Sequence, residues 1–273
     1  MLEPQDAVAV ALSGGKDSVA LLRILSKLER RFPLARLAGL TVDEGIAGYR
    51  GEAVSISRDL CDELGIEHAV VSFDELFGLT MDEIASKQKE LQPCSYCGVL
   101  RRKALNEGAR RLRATKLATA HNLDDEVQTA LLNIVHGDVE RISRASSILG
   151  KTQAKFIPRI KPLAEVPEKE TTLYAYATGT QFQNVPCPHG RDALRGDIRV
   201  ILNRLELKHP GVKHTIYSSI ERLSRASKQT EEARALRACT ICGEPTPNET
   251  CEACTMLKTL KTDMATSYPA VPP

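Results

Sequence analysis

The stretch Ser13-Gly14-Gly15-Lys16-Asp17-Ser18 joins a short β-branched run directly to an amphipathic helical pattern, and this junction constrains the fold more than any other feature of the 273 residues. Ala7 to Leu12 reads as a strand, and Ser18 to Arg30 as a helix with Ala20, Leu21, Ile24, Leu25 and Leu28 on one face. Paired glycines let the backbone turn tightly and come close to a ligand. The helix that follows offers unpaired N–H groups and the positive end of its dipole to an anion. Lys16 adds a point charge, and Ser13 and Ser18 add hydroxyl donors. An acid within a phosphate cradle repels the ligand unless a cation lies between them, so Asp17 is either a Mg2+ partner or a helix N-terminal cap. The spacing fits neither the G-x-x-x-x-G-K-S/T loop nor the dinucleotide loop G-x-G-x-x-G.

The same alternation continues for about 160 residues. Further strands are expected at Leu37 to Val42, His68 to Phe73, Leu117 to Ala120 and Lys155 to Ile160. Helices are expected at Glu52 to Leu64, Met81 to Lys89, Cys97 to Leu112 and Asp125 to Val135. Alternating β and α elements imply parallel strands with right-handed crossovers, hence a doubly wound α/β sheet that binds ligands beyond the carboxyl ends of its strands. After Ile160 the pattern turns helical, with Glu168 to Ala177, Asp192 to Leu207 and about Thr215 to Lys228. The expected organisation is a phosphate-loop domain over 1–165, a helical extension over 166–235, a cysteine module over 236–260 and a disordered tail over 261–273.

Composition narrows the setting. No run of about 18 apolar residues is present, and Met1 to Ala7 lacks the basic flank and apolar core of a signal peptide, so no membrane partner is expected. Six of the eight cysteines fall in Cys-x-x-Cys pairs, which points to metal or redox chemistry in a reducing cytoplasm. The formal net charge of +2 hides an asymmetry, −6 over residues 1–100 against +10 over 101–237. Arg101 to Lys116 carries seven basic residues against one acid, and Arg141 to Lys161 carries six against none. These runs are either solvated helix faces or a surface for a polyanion such as nucleic acid.

Pro93-Cys94-Ser95-Tyr96-Cys97-Gly98 leads into a helix with Arg101 and Arg102, and Cys187 lies in Pro186-Cys187-Pro188-His189. Thiols at a helix N-terminus beside guanidinium groups are expected to have a depressed pKa, suited to nucleophilic sulfur or metal ligation. Three cysteines are one short of a structural zinc site, whereas a 4Fe–4S cluster held by three leaves one iron open; a redox disulfide between Cys94 and Cys97 is the alternative. Cys61 reads as a core residue. Asp43 and Glu44 either cap the turn before Gly45 or sit beside a ligand. His121-Asn122-Leu123-Asp124-Asp125 opens a helix at the next strand end, where the carboxylates either cap the helix or hold Mg2+ and move a proton. Cys239, Cys242, Cys251 and Cys254 form two knuckles eight residues apart, four soft ligands for tetrahedral Zn2+ in a segment with no core of its own.

Ser-Gly-Gly-Lys-Asp-Ser at the end of the first strand resembles the loop of the PP-loop ATP pyrophosphatases, which cleave ATP between the α and β phosphates and adenylate a substrate. Thr41 to Arg50, Cys94 to Arg102, His121 to Asp125 and Asn133 to Arg141 are similar to the archaeal and eukaryotic cytosolic tRNA 2-thiouridine synthetases, relatives of the 2-thiocytidine and T-loop uridine thiolases. The similarity runs in order from about Val8 to Cys254. It implies that Ala11, Ser13 to Ser18, Val42, Asp43, Arg101, Ala120 and His121 surround ATP. By the same resemblance Cys94, Cys97 and Cys187 hold an iron–sulfur cluster and Asp125 is catalytic; with Lys16 carrying phosphate charge, the residues themselves suggest Asp17 and Asp124 as Mg2+ partners. Expected tRNA contacts are Arg101, Arg102, Arg110, Arg111, Arg113, Arg141, Arg144, Lys151 and Lys155, with Tyr96 as the candidate for base stacking.

The implied reaction adenylates the O2 of a tRNA uridine, at the wobble position by the closer wording of the motifs, and replaces that oxygen with sulfur. Its sulfur donor is a ubiquitin-like thiocarboxylated carrier or sulfide, and a homodimer is compatible with the family. A T-loop uridine or a cytidine is the alternative target, and a PP-loop amidotransferase or lysidine-type synthetase the alternative chemistry. Two departures stand out: relatives commonly carry a zinc module before the first strand, and many have Gly where this chain has Ala120.

Overall fold

The computed structural model describes residues 1–29, 31–87, 92–138, 141, 157–190, 193–230 and 237–266. Five parallel strands, β1 (Ala7–Leu12), β2 (Arg36–Asp43), β3 (Glu67–Ser72), β4 (Lys116–Ala118) and β5 (Arg159–Ile160), lie in the order β3-β2-β1-β4-β5. The doubly wound parallel sheet expected from the alternation is the fold. Successive side chains of β1 enter different layers: Ala9 joins the core on one face, while Val8, Val10 and Leu12 join the core on the other. Helices α1 (Lys16–Glu29) and α2 (Arg50–Leu64) cover the second face. Helices α3 (Phe73–Phe77), α4 (Met81–Lys87) and α5 (Pro93–Arg111) cover the first. Cys61 is a core residue as expected, fully buried, with burial pushing its thiol up to about 12.

Chain order reverses between β1 and β4, where a crevice opens at the carboxyl ends of the strands. Helix α6 (Leu123–Val135) follows β4 and borders it. Helix α7 (Glu168–Ala177) packs on α1, and α8 (Ala193–Lys208) and α9 (Val212–Thr230) pack on α6 around Leu123, Val127, Ile198, Leu202 and Tyr217. A two-stranded antiparallel ribbon, β6 (Arg237–Ala238) with β7 (Pro245–Thr246), precedes α10 (Glu252–Thr266). Cys239, Cys251, Cys254 and Leu260 share one hydrophobic cluster with α5, so the cysteine module rests on the main domain. Helix α10 continues to Thr266, where a tail is expected from residue 261.

Several element ends differ from the sequence expectation. Pro93 occupies the start of α5, so Cys94 joins Cys97 inside the helix. Ser72 ends β3 early because its hydroxyl accepts from the Glu75 N–H at 3.0 Å and starts α3. Strand β5 is described only at Arg159–Ile160; Lys155 lies outside the described residues, as do Arg144 and Lys151.

Asp6 ties β1 to β4 at the edge opposite the crevice. Its carboxylate lies 2.7 Å from Lys116 Nζ, and it accepts from the Thr115 hydroxyl at 2.9 Å and the Glu3 N–H at 2.7 Å. Burial alone would raise the Asp6 pKa, but these partners outweigh it and hold the carboxyl below its ordinary value. The stabilisation is therefore complete above the unfolded carboxylate pKa of 3.8 and is lost as pH falls through the lower folded value. Asp6→Asn is expected to lower unfolding free energy by about 1–3 kcal/mol at pH 7 and to flatten the acid side of the stability profile. Denaturant melts from pH 3 to 7 check this; an unchanged acid side would refute it.

Candidate active site

The phosphate loop follows from close packing. Gly14 has φ +78°, and a Cβ there would lie 2.7 Å from Ala53 on α2, so neither the backbone nor the space admits a side chain. Ser18 is buried; its hydroxyl donates to the Gly15 carbonyl at 2.8 Å and accepts from the Ser13 N–H at 3.2 Å, so it folds the loop. Lys16 reaches Asp17 at 2.7 Å and Glu168 of α7 at 2.9 Å. Burial works against the Lys16 charge, but the two carboxylates outweigh it and hold its pKa above the ordinary value. Arg199 of α8 pairs with Glu168 at 2.9 Å, and Thr171 donates to Asp17. Asp17 lies within the first turn of α1 beside Lys16 and faces Thr171 of α7, so it is inside the helix and is not its N-cap.

Across the crevice, Asn122 is the N-cap of α6 and forms a capping box with Asp125. Asp124 is buried, pairs with Lys213 of α9 and accepts from the Glu168 N–H at 2.9 Å. Both its oxygens are committed, so the expected Mg2+ role for Asp124 finds a structural clasp instead. For Asp125, burial lifts the pKa above its ordinary value; the Asn122 N–H opposes this, and the charges of Asp17 and Glu168 add to it. The Ala120 backbone is half-buried beside His121, whose Nδ1 lies 3.1 Å from the Thr119 hydroxyl. Crowding in the crevice and the cations Lys161, Arg159 and Arg195 hold His121 below its ordinary pKa.

Asp43 caps its turn, accepting from the Gly45 N–H at 2.9 Å. Glu44 does not cap the turn with its side chain. It is 2% exposed and pairs with Arg50 at 2.6 Å and Arg101 at 2.7 Å. Arg50 donates to the carbonyls of Ser13 at 3.1 Å and Val42 at 2.5 Å, joining the ends of β1 and β2 where Ala11 and Val42 would flank a nucleotide. Sequence reasoning gave Arg50 no role. The available signal was a cation at the first position of a helix, against its dipole.

Arg101 also donates to Cys97 Sγ at 3.0 Å. Even so, burial outweighs Arg101 and pushes the Cys97 thiol above its ordinary pKa, contrary to the expected depression. Cys94 is exposed one turn earlier, and its thiol donates to the His189 carbonyl at 3.5 Å. His189 is held by Asp82 at 2.7 Å, which pins the Cys187 loop against α4, while the Cys94 contact ties it to the start of α5. Gln183, four residues before Cys187, donates from its N–H to the Gly14 carbonyl at 2.8 Å, so one segment touches both the phosphate loop and the cysteine site.

Among the described residues, the one group of three or more His, Cys, Asp or Glu with all ligand atoms within 4.8 Å is Cys239, Cys242, Cys251 and Cys254. That spread suits a single tetrahedral ion, whose sulfurs stand about 3.8 Å apart for Zn–S bonds of about 2.3 Å. Cys242 and Cys251 sulfurs lie 3.7 Å apart. Burial opposes ionisation of Cys239, yet N–H groups of Cys251, Cys242 and Ile241 pull it down to about 6. Cys94, Cys97 and Cys187 gather around one loop without forming such a compact group, and three thiols of this kind are the donor chemistry that an iron–sulfur cluster uses.

The basic stretch 101–116 is not one surface. Helices of such a sheet run opposite to its strands, so Arg110 and Arg111 sit about 15 Å along α5 from Arg101, away from the crevice, with Arg113 just beyond the helix end. Glu107 pairs with Arg110 and Arg111, and Glu75 with Arg111 at 2.5 Å. Arg102 stays near the crevice beside Arg159, whose pKa burial and Arg102 press down to about 10. Arg141 is exposed and pairs with Asp138 at 3.1 Å. Tyr96 is 3% exposed and belongs to the core, so it is not available to stack on a base.

Residues 2–205 match the PP-loop domain family. The chain is 40% identical to the tRNA 2-thiolation protein NcsA of Haloferax volcanii, over 92% of this chain and 82% of that protein. It is 36% identical to the cytoplasmic tRNA 2-thiolation protein 1 of Laccaria bicolor, over 98% and 75% respectively. A solved structure, the U34-tRNA thiolase NcsA from Methanococcus maripaludis with its 4Fe–4S cluster, superposes with a TM-score of 0.82 at 35% identity, covering 93% of this chain and 81% of that one.

The four-cysteine module is expected to carry one zinc per chain. Cys254→Ser should lose it and lower the melting temperature, as metal analysis and calorimetry would register; a variant that keeps its zinc would sink this assignment.

Proposed function

The chain belongs to the PP-loop family of tRNA 2-thiolation proteins, and on that premise we propose that it is an ATP-dependent tRNA sulfurtransferase making 2-thiouridine, with the wobble uridine as target. The observation that carries this reading is the link between the phosphate loop and the cysteines: the segment that bears Cys187 donates from the Gln183 N–H to the Gly14 carbonyl at 2.8 Å, and Arg50, Glu44 and Arg101 connect Ser13 to Cys97. Uridine O2 attacks the α phosphate of ATP, the bond to the β phosphate breaks and pyrophosphate leaves. Lys16 and the N-terminus of α1 hold the phosphates, with Asp17 as the Mg2+ partner. Arg50 keeps the strand ends apart for adenosine, and Arg101 faces the α phosphate. Asp125, with its raised pKa, takes the uridine N3 proton. Hydrosulfide then adds at C2, the C2–O bond breaks, AMP departs and the S–H proton passes to N3, which leaves the C2=S group of 2-thiouridine.

Cys94, Cys97 and Cys187 would hold a 4Fe–4S cluster, which supplies an iron with an open position for external sulfur. We assign the sulfur donor to a thiocarboxylated ubiquitin-like carrier or sulfide, and the setting to the cytoplasm, in keeping with the cytoplasmic relatives. No described helix is long and apolar enough to cross a membrane. A homodimer remains compatible with this scheme. We further divide the chain into a catalytic domain over 1–165, a helical extension over 166–235 that brings Cys187, and a zinc module over 236–260.

The test is anaerobic: cluster-reconstituted protein with tRNA, Mg-ATP and sulfide, its digested nucleosides read by mass spectrometry. A 2-thiouridine product is expected, absent in Cys187→Ala. AMP without any thionucleoside would overturn the sulfur chemistry and favour an amidotransferase type. Because Asp125 acts as carboxylate, the rate should rise with pH through an apparent pKa above 3.8, and Asp125→Asn should remove that dependence with a loss of about 100-fold or more.

For tRNA, the cations near His121, with Lys161 paired to Glu126 at 2.7 Å, support binding better by their place at the crevice than the far end of α5 does. Lys161→Ala with Arg195→Ala should weaken tRNA affinity and reduce the salt slope by about 2, whereas Arg110→Ala with Arg111→Ala should leave both nearly unchanged. Filter binding across a salt series distinguishes the two; a stronger effect at Arg110 and Arg111 would refute this placement.

A further inference from the structure

Glu44 sits where the two halves of the site meet. Its Oε2 faces Arg50 Nε at 2.6 Å and its Oε1 faces Arg101 Nε at 2.7 Å, with the carboxylate almost wholly buried. Arg50 carries that contact to the phosphate loop through the Ser13 carbonyl and to β2 through the Val42 carbonyl. Arg101 carries it to Cys97 Sγ at 3.0 Å. A continuous chain of charged contacts thus runs from the phosphate loop to a cysteine of the sulfur site. The Arg101 side chain remains 48% exposed, and its Nε and Nη2, along one edge of the guanidinium, are taken by Glu44 and Cys97, so in the assignment above the other edge is the one left for the nucleotide. Guanidinium is a rigid plane, and an anion drawing on one edge leaves less for an anion on the other.

We propose that Glu44 is a positioning residue that fixes Arg101 between the nucleotide crevice and Cys97, so that loading the cysteine site lowers nucleotide affinity and nucleotide binding equally opposes loading. The inference rests on the nucleotide and cysteine sites as assigned above. It goes further by making one buried carboxylate the element that couples them. Linkage requires the coupling to be reciprocal. A residue that merely supported the fold would act differently: its loss would weaken nucleotide binding by the same factor whether or not the cysteines were loaded.

The experiment is anaerobic calorimetry with Mg2+ and a non-hydrolysable ATP analogue, on cluster-free and cluster-reconstituted protein. In the parent, reconstitution is expected to raise the nucleotide Kd by about fivefold or more, and Glu44→Gln should cut that difference to under about twofold. Should Glu44→Gln fail to fold by circular dichroism, Glu44→Asp serves, because it keeps the buried charge but, one methylene shorter, cannot bridge Arg50 and Arg101 as Glu44 does. A difference that survives in the folded variant overturns the proposal. So does a parent whose nucleotide affinity is the same in both forms. A parent that binds no nucleotide in either form overturns the nucleotide site itself, which separates that failure from a failure of the coupling alone.

Discussion

Arg50 holds the ligand edge of this sheet together. Its guanidinium, in a side chain with 5% exposure, spans the carbonyls that end β1 and β2 and pairs with a carboxylate that is itself buried. Carbonyls at a strand end have no ladder partner beyond them, and burying them unpaired is costly. A cation with five donors in a fixed plane satisfies both carbonyls and sets the distance between two strands where a nucleotide would lie. The phosphate loop inherits this fixed base, since Ser13 is both the last carbonyl held by Arg50 and the first residue of the loop.

Charges of opposite sign alternate through much of the rest of the site. Lys16 lies between Asp17 and Glu168, Glu168 between Lys16 and Arg199, and Asp124 between Lys213 and the N-terminus of α7. Such chains hold helices α7, α8 and α9 against the crevice through specific partners in addition to the apolar contacts around Leu202 and Tyr217. They also put carboxylates on Lys16 where a triphosphate would compete, which keeps the lysine ordered before the nucleotide arrives. The cysteine module is joined to α5 in a similar way, with Glu244 accepting from Asn106 at 3.0 Å and pairing with Lys103 at 3.3 Å.

Much of the site was legible because the residues that make it sit at junctions between elements. Gly14, Lys16, Asn122 and Asp125 lie within a few positions of a strand end or a helix start, so the local pattern locates them. The four C-terminal cysteines were legible from spacing, since two knuckles define a tetrahedron without reference to the remaining fold. Glu44 and Asp124 were misread for one reason: each stands beside a capping residue in sequence, yet its partners come from distant elements. Tyr96 was misread because its helix starts earlier than the periodicity suggests and turns the ring into the core. The basic run 101–116 looked continuous because sequence does not show that one helix spans the whole sheet and delivers its two ends to opposite edges.

The order of strands and helices, the phosphate loop and the metal-type cysteine spacing were fixed by the chain itself, because each depends on hydrophobic period, glycine geometry or ligand spacing over a few residues. Tertiary structure decided which charges meet: Arg50 with Glu44 and Arg101, Lys16 with Glu168, Asp124 with Lys213, and the Cys187 loop with the start of α5. Those pairings act through space across elements far apart in the chain, and only the folded sheet, by reversing its order between β1 and β4, brings them to the same crevice.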